Sequence, residues 1–143
     1  MVIHKIQTFK KMKKLNQMGT STMSTLISML EVGTNKIKID YSHGTFMAVI
    51  IERLNEFEKY KIFSIAHYYE QQEIQICDTE MRFILNKNTG EYFPSYYKDS
   101  KGLEKESIKM IVGVIISVKI IQQLEHSLVG NQFLERIKFQ QNL

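Results

Sequence analysis

The chain has little of what most site chemistry is built from. Its 143 residues include one cysteine, one proline and no tryptophan, and its seven glycines are dispersed. The single cysteine, Cys77, excludes an intramolecular disulfide and a multi-cysteine zinc site, and it fits a reducing, cytoplasmic setting. The scattered glycines form no phosphate-cradling loop and no dinucleotide fingerprint. His4, His43, His67 and His126 show no His-x-x-His or His-Glu-x-x-His spacing. No run approaches the roughly 20 apolar residues that a membrane-spanning helix needs. The longest candidate, Met110 to Ile121, is interrupted by Ser117 and Lys119. The N-terminal residues to Leu15 carry lysine throughout and lack the continuous apolar centre of a signal peptide. The expectation is a chain with no catalytic residue, no metal and no cofactor.

Charge is present but localised. The formal net charge is +4, yet residues 1–14 hold Lys5, Lys10, Lys11, Lys13 and Lys14 with no acid, which is +5, leaving −1 for the remainder. A basic leader, residues 1–19, disordered or partly helical, therefore precedes a nearly neutral domain, residues 20–143. Lys10, Lys11, Lys13 and Lys14 are the candidate phosphate contacts if the chain meets nucleic acid.

Hydrophobic periodicity predicts the elements. Thr20, Ser21 and Thr22 offer capping hydroxyls, and Met23, Leu26, Ile27 and Leu30 follow at helical spacing, predicting a helix over 22–32 that ends at Gly33. Residues 36–41, 45–53, 60–70, 73–85 and 92–97 read as strands. Asn86 to Gly90 supplies a hairpin loop, and Pro94 suits an edge or a strand start. Residues 104–128 are ambiguous. Val112, Val114, Ile116, Val118 and Ile120 alternate as in a strand, whereas the polar flanks and the length favour one long helix. Gly130-Asn131 punctuates, and Phe133, Leu134 and Ile137 predict a closing helix. The fold class is thus α+β: an antiparallel sheet of about five strands, with an N-terminal helix and one or two C-terminal helices packed on one face.

A few residue pairs invite a functional reading. Asp78 and Glu80 lie two apart, so a regular strand would put both carboxylates on one face about 7 Å apart, with Arg82 continuing that face as a counter-ion. Such a pair suits a cation or acid–base work, although no third ligand is nearby in sequence. Tyr60, Tyr68, Tyr69, Tyr92, Tyr96 and Tyr97 concentrate on the predicted sheet, and Tyr69 and Tyr97 are the candidates to face outward at an interface. The breadth of the apolar stretch Met110 to Ile121 exceeds what one helix face needs, which points to a homodimer contact.

Residues 68–102 resemble a family of small domains of unknown function found on bacterial plasmids, integrated elements and phages. Asp78-Thr79-Glu80-Met81-Arg82-Phe83 is similar to that family's Asp-Pro-Glu-Met-x-Phe element, with Thr79 in place of proline. Pro94, Tyr96 or Tyr97, Asp99 and Gly102 match its Pro-x-x-Tyr-x-x-Asp-x-x-Gly element, which adds Asp99 to the candidate binding residues. Where the family has Asn-Gly-Asp, this chain has Gln72-Glu73-Ile74, so a tight turn is not expected there. The resemblance implies an α+β fold and a mobile-element origin. The function expected is a non-enzymatic interaction protein that occupies a host or element-encoded protein, with counter-defence inhibition as one instance. The alternative is a nucleic-acid-binding accessory protein that uses the leader lysines.

Overall fold

In the computed structural model, residues 12–42, 44 and 46–143 are described. The first helix, α1 (Gln17–Ser28), starts earlier than the hydroxyl run predicts, because Asn16 caps it: the Asn16 side chain accepts from the Gly19 amide at 2.8 Å. Thr22, Ser24 and Thr25 instead lie inside the helix and donate back to the carbonyls of Met18, Thr20 and Ser21. The expected boundary between residues 19 and 20 therefore falls within α1. Met12 and Leu15 are already buried in the domain.

Six strands follow as a single antiparallel meander in sequence order: β1 (Lys36–Ile39), β2 (Ala48–Glu56), β3 (Tyr60–Gln71), β4 (Ile74–Asn86), β5 (Tyr92–Asp99) and β6 (Glu104–Glu106). Five of these lie where alternation predicts them, and the sixth lies in the segment that length assigned to a helix. That segment is corrected over residues 104–118, while residues 120–128 are helical as expected. After β6 come β7 (Ile108–Ile111) and β8 (Val114–Val118), a separate hairpin, and only then α2 (Ile120–Gln140). Alternation of β-branched residues prevailed over length because Val112-Gly113 makes a two-residue turn, with φ of 47° and 76°.

The helix runs unbroken through Gly130-Asn131. Gly130 serves close packing rather than punctuation: a Cβ there would lie 3.1 Å from Pro94, 3.3 Å from Leu15 and 3.4 Å from Phe83. Likewise, β3 and β4 are joined by a tight two-residue turn at Gln72-Glu73, with φ of 51° and 67°, despite the missing Asn-Gly.

Two cores divide the molecule. Register places Val49, Ile51, Phe63, Ile65, Met81 and Phe83 on one sheet face, clustered with Met23 and Leu26 of α1 and Phe133, Leu134 and Ile137 of α2. Full burial of each large side chain contributes about 1.5–3 kcal/mol, so this cluster dominates stability. On the other face a smaller cluster joins Met12, Tyr60, Ile84 and Phe93 to Ile108 and Ile115 of the hairpin. The hairpin tip is seated by Phe57, whose ring would meet a Cβ on Gly113 at 2.8 Å.

Candidate functional site

Three of the sequence-predicted residues come together at one end of β4 and β5. Thr79 pairs with Asp99 and Met81 with Tyr97, and the Ser100 amide donates to the Asp78 carbonyl at 2.9 Å. A bulge opposite His67 and Tyr68 leaves Asp78 as the extra residue, since Cys77 pairs with Tyr68 and Thr79 with His67. This breaks the alternation on which the shared Asp78–Glu80 face depended. The Asp78 carboxylate accepts from the Thr79 hydroxyl at 3.0 Å, whereas Glu80 accepts from Ser64 at 2.7 Å and from Arg82 Nε at 3.1 Å. The two carboxylates serve different neighbours.

Asp99 holds its own turn. One carboxylate oxygen accepts from the amides of Lys101 and Leu103, and the other accepts from the Tyr97 hydroxyl at 3.3 Å. Tyr97 is half-buried against the helix-side core, with its ring 6.5 Å from that of His126. Burial, and then the Asp99 carboxylate, raises its pKa. Tyr69 lies elsewhere, in a cleft of about 410 Å³ that Tyr68, Lys38, Phe46 and Glu70 also line.

Glu80 belongs to a ladder of polar contacts on the opposite face of the sheet from the helices. Arg82 stacks over the Tyr96 ring at 4.1 Å, and the Tyr96 hydroxyl donates to Glu104 at 2.8 Å. Burial and then Glu104 push the Tyr96 pKa up to about 12, so its proton stays in place near neutrality. Burial, and then Glu80, raises the pKa of the Cys77 thiol, which favours its protonated form. Among the described residues no group of three or more His, Cys, Asp or Glu side chains is placed to hold a metal ion.

Sequence reasoning missed a buried polar network around Gln123. Its amide nitrogen donates to the Pro94 carbonyl at 2.6 Å, and its oxygen accepts from the Lys13 amide at 3.1 Å. Beside it the Ser107 hydroxyl donates to the same Pro94 carbonyl at 3.2 Å and meets His126 Nδ1 at 2.8 Å. The contact has the reach of a serine–histidine pair, but Ser107 is 1% exposed, so no substrate reaches it. The network instead fastens α2 to β5 where Pro94 cannot donate to a ladder. The only sequence signal was polar residues, three apart, on the buried stripe of α2.

Two of the four leader lysines named as phosphate contacts, Lys13 and Lys14, lie within the described residues. Lys14 pairs with Glu91 at 3.1 Å, the Lys13 amide is used by Gln123, and Lys10 and Lys11 lie outside the described residues.

Among the described residues, exposed aliphatic side chains concentrate in the hairpin and the start of α2. Ile111, Val112, Val114, Ile116, Ile120 and Ile121 are exposed by 44% to 84%, all within the stretch flagged for its excess hydrophobicity. On the helix, Leu124 and Leu128 continue this exposure.

Comparison with known families places the chain. The family described as Domain of unknown function (DUF6908) matches residues 7–143. The chain belongs to this family. The DUF6908 match extends well beyond residues 68–102 and takes in the hairpin and α2. No curated protein and no solved structure matches the chain. No helix among the described residues of this DUF6908 domain is long and apolar enough to cross a membrane.

Proposed function

We propose that this DUF6908 domain is a non-enzymatic protein-interaction module of a mobile genetic element, with its contact surface on the aliphatic stretch from Ile111 to Ile121. One observation carries the reading: Val112, at the hairpin tip, is 84% exposed and Ile121, at the start of α2, is 75% exposed, with aliphatic residues open between them. Apolar patches of this extent on a small domain mark contact surfaces. The polar side chains near the candidate positions are consistent with it, because Glu80, Asp99, Tyr96 and Ser107 are each bonded within the fold. The mobile-element setting, and counter-defence inhibition as its instance, rest on the resemblance of residues 68–102. A cytoplasmic setting fits the single free thiol.

The test is an affinity purification of the full chain from host lysate at low and moderate salt, beside an Ile121→Glu variant. Glutamate in the first turn of α2 suits the helix and should not disturb folding. The expected result is one stoichiometric protein that survives moderate salt and is lost from the variant. Recovery of nucleic acid alone, released as salt rises and equal in both proteins, would instead assign binding to the leader.

A further inference from the structure

Val112 is the one β-branched residue with positive φ among the described residues, and the fold does not explain it. It occupies the first position of a two-residue turn that needs positive φ at both central residues, a place favouring Asn, Asp or Gly. A β-branched residue in the left-handed region is strained, because its Cβ crowds the following carbonyl. Nothing is gained in return within the chain, since Val112 is 84% exposed. Strain held at an open position points to use of the side chain.

We propose that the Ile111–Ile121 surface is the contact between two copies of this chain, with Val112 and Ile121 packed against the partner copy. The inference rests on the reading of this stretch as a contact surface and names a second copy as its occupant, which a lysate protein binding through Ile121 would have to displace. Six aliphatic residues open by 44% to 84% present on the order of 600 Å², matching one side of the smaller specific interfaces. A two-fold contact sets a patch against itself, so it must tolerate its own charges. This stretch carries one charge, Lys119, and otherwise only Val, Ile, Gly and Ser. The neighbouring Lys105 and Glu125 already neutralise each other at 3.8 Å. An uncharged aliphatic patch is what homodimer interfaces favour over transient ones.

The contact is through side chains rather than by strand addition. Between Lys109 and Met110 the β7–β8 register shifts, leaving Ile116 as an extra residue that bends β8, and such bulges blunt an edge.

Sedimentation equilibrium of the full chain, up to about 200 µM, tests this beside Val112→Asn and Ile121→Glu. Twice the monomer mass is expected for the wild type, with dissociation constants raised roughly tenfold or more in both variants. Asparagine accepts the left-handed conformation, so Val112→Asn should also raise the urea midpoint, measured below the dimer dissociation constant. That pairing of a better fold with weaker association excludes misfolding as the cause. A wild type that stays monomeric throughout, or a Val112→Asn variant that associates as the wild type does, overturns the dimer. Either result leaves the interaction reading to the lysate test, which does not depend on self-association.

Discussion

Replacing Gln72-Glu73 by Asn-Gly should stabilise the protein, and the size of the gain follows from the backbone. Both residues sit in the left-handed region, with φ of 51° and 67°, in the two-residue turn between β3 and β4. Each exposes its side chain, so little packing is at stake. A side-chain-bearing residue in this region costs roughly 1–2 kcal/mol, less for asparagine and nothing for glycine. The greater freedom of glycine in the unfolded chain takes back about 0.5–1 kcal/mol. The double variant should therefore gain about 1–2 kcal/mol, which for a domain of this size raises the melting temperature by about 3–7 °C. Urea titration followed by far-ultraviolet circular dichroism reads the midpoint, and an unchanged slope shows that the unfolded reference is intact. A midpoint equal to or below the wild type would refute the claim that this turn is strained.

The other predictions concern the interior and the leader. Gln123→Leu should cost about 1–3 kcal/mol in a urea titration, because the Lys13 amide loses its partner and the Pro94 carbonyl keeps only the Ser107 hydroxyl. Gly130→Val should cost about 2–3 kcal/mol by the same assay, since branched methyls would overlap Pro94, Leu15 and Phe83. Burial lowers the pKa of His67 and of His126, so the unfolded chain takes up protons first as pH falls. Stability should be full above about pH 6.5 and decline below it until the folded-state histidines titrate, by at most about 1.4 kcal/mol per pH unit for each. A His126→Asn variant should flatten the stability–pH curve measured from pH 8 to 5. Lys14→Ala, which removes an exposed ion pair with Glu91, should change stability by less than about 0.5 kcal/mol.

Much of the fold was legible from local chemistry. Strict alternation over residues 36–39 and the long β-branched and aromatic runs of β3 and β4 located the sheet, because a pleated, half-buried strand leaves a period of two. Residues 104–128 misled for a physical reason. Their local preference for strand competed with a scarcity of turn residues, Gly113 being the one internal breaker, and a valine in the left-handed region is not a recognisable turn signal. The site was less legible than the fold. Asp78 and Glu80 were separated by a bulge, which no spacing rule anticipates. Asp99 was identified as a candidate, and its carboxylate is engaged by backbone amides that sequence cannot display. Gln123 and Ser107 lie 16 residues apart and meet only through the path of the hairpin. The excess hydrophobicity of Met110 to Ile121 was visible, but its origin was not: it comes from a hairpin and a helix start, not from one long helix.

Hydrogen exchange of the full chain at low and high protein concentration, and again with any captured partner, locates the contact surface directly. Protection gained by amides in residues 111–121, with the β1 edge and the β3–β4 turn unchanged, is the result predicted. Protection gained elsewhere, while residues 111–121 exchange as before, would contradict the assignment of this surface.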